Sequence, residues 1–131
     1  MAGYTIQTLE EVPDAFGGEY PGSMRFMTGC LSNEQIAFTH RVMPANTGGK
    51  GSYGHRHKTQ EEIYYVVSGR LEFKLGDEVI DVGRGTAVRV APATLRSVHN
   101  EGPDDAELII CSVRLDDPRA DAEIVEGFWP E

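Results

Sequence analysis

From residue 35 onward the chain breaks into short runs of alternating apolar and polar residues, and none of them repeats with the period of a helix. Gly, Pro, Asn and Asp separate the runs about every eight to twelve residues, a spacing that predicts an all-β sandwich or barrel. Gln35 to Met43 alternates, which places Ile36, Phe38, His40 and Val42 on one face. Glu62 to Val67 is rich in Tyr, Ile and Val, and Ser68-Gly69 after it reads as a two-residue hairpin turn. Arg70 to Leu75, a turn at Gly76-Asp77, and Glu78 to Val82 continue the meander. Past Gly83-Arg84-Gly85, Thr86 to Ala91 sets Val88 and Val90 against Ala87, Arg89 and Ala91. Leu95 to Asn100 and Ala106 to Arg114 complete the set, the latter as the longest apolar strand.

The ends are less regular. Residues 1–34 are expected to pack on the barrel (residues 35–114) as two edge strands, Tyr4 to Leu9 and Ser23 to Met27, around a Gly/Pro-rich loop from Phe16 to Gly22. Residues 115–131 form an acidic tail whose end, Ala120 to Glu131, reads as a helical turn or an extended segment, with Phe128-Trp129 packing on the barrel or a partner subunit. The whole is one domain, as expected for 131 residues.

The formal charge of −9 is unevenly placed. Residues 101–131 hold ten acids against two bases, whereas residues 55–100 hold six acids against seven bases. An acidic chain without a basic cluster is not expected to bind nucleic acid. No run of about 18 apolar residues is present, and Met1 to Glu11 lacks the basic start and apolar stretch of a secretory leader, so neither a membrane span nor export is expected. Cys30 and Cys111 stand apart in the sequence and read as ordinary thiols of a cytoplasmic protein.

Chemistry concentrates between Gly49 and Gly69. His55 and His57 are two residues apart on an extended segment, so both imidazoles face the same side. Glu62 begins the next apolar run and shares a face with Tyr64 and Val66, while Glu61 falls on the opposite face. Two imidazoles and a carboxylate on one face suit a divalent ion such as Fe, Mn, Ni or Zn.

These residues resemble the first motif of the cupin family: a Gly, five residues, His-x-His, three or four residues, Glu, six residues, Gly. Gly49, His55, His57, Glu62 and Gly69 fit it without a gap. The resemblance covers residues 35–114 and implies a double-stranded β-helix, or jelly-roll barrel. The second motif is kept at Gly85, Pro92 and Asn100, but the position of its histidine ligand holds Arg96, counted back from Asn100, or Ser97, counted forward from Pro92. What remains is a two-histidine, one-carboxylate site with open positions.

Around that site Arg96, Tyr64 and His40 are the candidate substrate-binding residues. Arg96 either grips the carboxylate or phosphate of an anionic substrate or pairs with Glu62 in place of the metal. His40 reads as a satisfied core histidine or as part of the pocket wall. His99 becomes a ligand only if its strand carries a one-residue bulge. The resemblance thus implies a metal-dependent enzyme of dioxygenase, isomerase or decarboxylase type acting on a small polar or anionic substrate. Two alternatives stand beside it: a metal-free binding or sensory protein for a sugar or carboxylate, and a metal-free sugar-nucleotide epimerase or isomerase with a histidine base. Uncovered sheet edges at the two ends of the chain imply a homodimer.

Overall fold

The structure, a computed structural model, describes residues 3–131. Its eleven strands are β1 (Ser23–Phe26), β2 (Ile36–Met43), β3 (Thr47–Gly48), β4 (Ser52–His57), β5 (Glu62–Ser68), β6 (Arg70–Leu75), β7 (Glu78–Gly83), β8 (Thr86–Val90), β9 (Arg96–Asn100), β10 (Ala106–Val113) and β11 (Ala122–Trp129). Two single turns of helix, α1 (Met27–Cys30) and α2 (Pro118–Asp121), complete the regular elements together with a 3₁₀ turn at Leu9–Glu11. The strands form two antiparallel sheets, ordered β1-β2-β10-β5-β8 and β11-β4-β9-β6-β7, with β3 alongside β9. Packed face to face, these make the jelly-roll barrel that the motifs imply.

Alternation does most of the folding. In β5, Glu62, Tyr64 and Val66 are buried while Ile63 and Tyr65 face outward. The buried apolar residues of β5 join Leu71, Phe73, Val98 and Leu108 from β6, β9 and β10 in one cluster between the sheets. Each such side chain contributes about 1.5–3 kcal/mol when fully buried. Tyr64 and Phe73 meet edge to face at 5.5 Å across the two sheets.

Several local expectations are corrected. Ser68-Gly69 is not a hairpin turn: β5 pairs with β10 and β8, whereas β6 pairs with β7 and β9, so this corner carries the chain from one sheet to the other. Gly69 takes φ +77°, and a Cβ there would lie 2.6 Å from the Asp105 carbonyl oxygen. No strand forms over Tyr4 to Leu9; Tyr4 and Ile6 are exposed, and β1 already occupies the free edge of β2. In β2 the inward face is the one opposite to that read from the sequence. Arg41 pairs in register with Leu108, a fully buried core residue, and Met43 joins the core, so Ile36 and His40 belong to the outer face. The C-terminal segment contributes both a helical turn and a strand: α2 leads into β11, which pairs with β4. Trp129 is buried and meets His99 edge to face at 5.9 Å.

Candidate metal centre

Three side chains from two strands in facing sheets converge inside the barrel. His55 and His57 lie on β4 and Glu62 opens β5; one donor atom from each falls within 4.8 Å of the others. Both Nε2 atoms stand 3.5 Å from Glu62 Oε1. Two donors at about 2.1 Å from one ion and at a tetrahedral angle are about 3.4 Å apart, so the separation suits a first-row divalent ion. The imidazoles cross edge to face with centroids 5.0 Å apart.

The approach of the strands depends on glycine. A Cβ on Gly54, between the two sheet neighbours of β4, would meet Phe128 at 2.3 Å and the Arg96 carbonyl at 2.9 Å. A Cβ on Gly49 would collide with Ser97 Oγ at 1.6 Å. Each glycine lets β9 lie close beside the histidine strand.

Glu62 is buried, and burial alone works to raise its pKa. Hydrogen bonds from His55 and from the Tyr64 hydroxyl, at 2.8 Å, outweigh that and hold the carboxyl below its ordinary value. The buried Tyr64 hydroxyl is pushed well above the ordinary phenol range by its burial and by the Glu62 charge, so it stays a proton donor to that carboxylate. Burial depresses the pKa of His57, favouring the neutral ring that a metal requires. Its other nitrogen, Nδ1, lies 3.2 Å from Asp121 Oδ2. Asp121 also accepts from the Thr59 amide and hydroxyl and from the Gln60 amide, which together hold it ionised against its own burial. A carboxylate behind a histidine orients the ring and fixes which nitrogen carries the proton.

Arg96 stands directly across from His55 in the pairing of β9 with β4. Its side chain is fully buried: Nη1 and Nη2 donate to the carbonyls of Pro92 and Ala91, and Nε lies 3.7 Å from Glu62 Oε1. Glu61 is outside the barrel, paired with Arg89. His99 is kept out of the cluster by an unbroken register of β9 against β6; its Nδ1 faces the Lys50 amide at 3.4 Å. His40 is on the outer face of its sheet, with Nε2 bonded to Glu107 at 2.7 Å, and does not join the wall of the site. Its alternation with Phe38 and Val42 is a true strand signal, but the face carrying it turns away from the barrel interior.

The group opens into a cavity of about 580 Å³ whose wall includes His55, Glu62, Tyr64 and Arg96, and also Arg41. Arg41 and Asp121 are the two residues of the site region that the sequence reading passed over. Asp121 lies 64 residues beyond His57 and reaches it only through the pairing of β11 with β4. Alternation along β2 could have flagged Arg41, had the other face been taken as inward.

The model of the cupin domain family matches residues 41–112, more than half of the chain. The chain belongs to the cupin family. A curated relative of this cupin, an uncharacterised protein of Methanocaldococcus jannaschii, is 34% identical over 58 residues, which span 44% of this chain and 46% of that protein. A sugar phosphate isomerase of the cupin superfamily from Silicibacter pomeroyi superposes with a TM-score of 0.73 at 14% identity, covering 97% of this chain and 96% of that one. A cupin protein from Bacteroides fragilis gives 0.71 at 20% identity, with 89% of each chain covered. A predicted oxalate decarboxylase from Thermotoga maritima gives 0.69 at 19% identity, covering 85% of this chain and all of that one (100%). At these identities the likeness is one of fold.

Proposed function

We propose that this cupin holds a divalent transition metal (Fe, Mn, Ni or Zn) through His55, His57 and Glu62 and acts as an enzyme on a small polar or anionic substrate in the adjoining cavity. The observation that carries the reading is the convergence of two imidazoles and one ionised carboxylate on a single point inside the barrel. Nitrogen and oxygen donors of this kind suit all four metals, and geometry alone does not choose among them. A bound ion would supply Lewis-acid or oxygen-activating chemistry. The chain's own residues do the rest. Tyr64 keeps Glu62 charged and in place, and Asp121 holds the His57 ring. Fold neighbours named for decarboxylase and isomerase activities show that the barrel does not select a reaction; dioxygenase and isomerase types both remain within this proposal.

The position of Arg96 favours one other reading, a metal-free cupin that binds a sugar or carboxylate without catalysis. Its guanidinium stands where the family motif has a third histidine and already lies beside Glu62. A fixed cation close to a dication costs on the order of several kcal/mol at an effective dielectric of about 20. Metal analysis of the freshly purified protein separates the two. About one equivalent of transition metal, lost in His57→Ala, supports the enzyme reading; no uptake from excess Fe(II), Mn(II), Ni(II) or Zn(II) transfers support to the metal-free one.

A homodimer in the cytoplasm belongs to the same proposal. Strands β1, β8, β11 and β7 end their sheets among the described residues, and Cys30 and Cys111 are both free thiols. Sedimentation velocity tests the dimer: a single species of monomer mass at high protein concentration rejects it. No helix among the described residues is long and apolar enough to cross a membrane.

A further inference from the structure

The cavity wall carries two guanidinium groups against a single carboxylate, in a chain whose net charge is −9. The two arginines are differently committed. Arg96 spends both Nη groups on backbone carbonyls, and its Nε, though without a hydrogen bond, lies 3.7 Å from Glu62 Oε1, which accounts for its charge. Arg41 has no such account. It projects from β2 on the face it shares with Leu108, and its Nε is buried without any hydrogen-bond partner. The groups that bear on its charge are Tyr53 and Tyr64; no carboxylate is among them, and burial pushes its pKa down. The Phe16 ring, 5.9 Å from its Cζ, offers a face but no counter-charge.

A half-buried guanidinium without an anion is costly, because burial weakens its hydration and nothing replaces it. An anionic ligand that pairs with the group offsets that cost. The planar fork of arginine matches two oxygens of a carboxylate or phosphate at once. A cavity of about 580 Å³ is in the range that takes a small organic molecule. Its local positive charge also opposes the acidic field of the rest of the chain, so an anion is attracted only once it is within about a Debye length, roughly 8–10 Å.

We propose that Arg41 is the anion-recognition residue of this cavity, pairing with the carboxylate or phosphate group of a small ligand whose other end reaches the His55–His57–Glu62 group. This rests on the functional reading above for the identity of the reacting end, and on Arg41 alone for the charged end. It moves the recognition of the anion from Arg96, whose Nη groups are taken, to a residue on the opposite sheet. Ligands would then be held by β2 at one end and presented at the other to the histidines of β4 in the facing sheet and to Glu62 of β5.

The test is calorimetric titration of the full chain, stripped of metal by dialysis against a chelator, with malonate, inorganic phosphate and, as a neutral control, glycerol. Malonate or phosphate is expected to bind, with glycerol silent, and the stronger of the two probes identifies which oxyanion the site prefers. Arg41→Gln is expected to weaken that binding tenfold or more, and Arg41→Lys, which keeps the charge but loses the fork, to give an intermediate loss. Thermal melting of both variants checks that they fold, and should Arg41→Gln not fold, Arg41→Lys decides alone. Arg89→Gln, which removes an exposed guanidinium paired with Glu61 outside the barrel, is expected to leave anion binding to the stripped protein within twofold. Failure of both anions to bind, or equal binding by wild type and the folded Arg41 variants, overturns the inference. Metal uptake together with that failure leaves the metal reading standing; Arg41-dependent anion binding without metal uptake supports the inference and removes the metal reading.

Discussion

The Nδ1 atom of His57 lies 3.2 Å from Oδ2 of Asp121, a carboxylate that three donors from Thr59 and Gln60 hold in place behind the ring. Asp121 ends α2, and the strand that follows it pairs with the histidine strand. The barrel edge and the orientation of the putting-forward nitrogen, Nε2, are therefore set by one contact. Asp121→Asn preserves the shape but removes the charge and upsets the choice of protonated nitrogen. The expected result is a loss of metal affinity of about 10- to 100-fold. Competition with a fluorescent chelator measures it, and affinity equal to wild type would show that the ring needs no such support.

The residue facing His55 across β4 and β9 is Arg96, where a histidine would complete a four-ligand site. Arg96→His is expected to tighten metal binding by about tenfold or more through the added imidazole. It is also expected to lower the melting temperature, because the two charge-assisted hydrogen bonds from Arg96 to the Pro92 and Ala91 carbonyls are lost, each contributing about 1.5–3 kcal/mol. Unchanged metal affinity in a folded variant would mean that position 96 does not face the metal.

Burial depresses the pKa of His57 below the 6.5 of an ordinary imidazole; His55 and Arg96 push the same way, while Glu62 and Asp121 oppose. The unfolded chain therefore takes up this proton at a higher pH than the folded one. Stability is fully present above 6.5 and falls as the pH drops from there towards the folded value. Urea midpoints of the metal-free protein at about pH 8 and about pH 5 should show this decline, and His57→Gln should flatten it. A decline of the same size in the variant would assign it to other groups.

The corner at Gly69 separates backbone conformation from crowding. Gly69→Ala meets a positive φ and a Cβ 2.6 Å from the Asp105 carbonyl and 2.8 Å from Ala106 Cα, so a cost of about 2–4 kcal/mol is expected. Gly76→Ala has a positive φ of +58° but open space, and should cost only about 1 kcal/mol. Equal costs in urea denaturation would show that the sheet-crossing corner is not tightly packed.

Short alternating runs and regular turns determine, from the sequence alone, that this chain is all-β, and the spacing of Gly49, His55, His57, Glu62 and Gly69 picks out the three converging donors. Even Glu62 is separated from Glu61 by parity, since neighbours on a strand must point to opposite faces. Those inferences hold because they depend on residues close in the chain, where backbone geometry leaves few choices. Other features needed the tertiary structure. Which side of β2 turns inward is not encoded where both faces carry apolar residues, so Arg41 and His40 exchanged roles. That Ser68-Gly69 changes sheets, and that Asp121 arrives behind His57, follow from pairings between strands far apart in sequence. Such pairings are selected by burial of the whole barrel against the chain's entropy, a sum over all strands that no single segment contains.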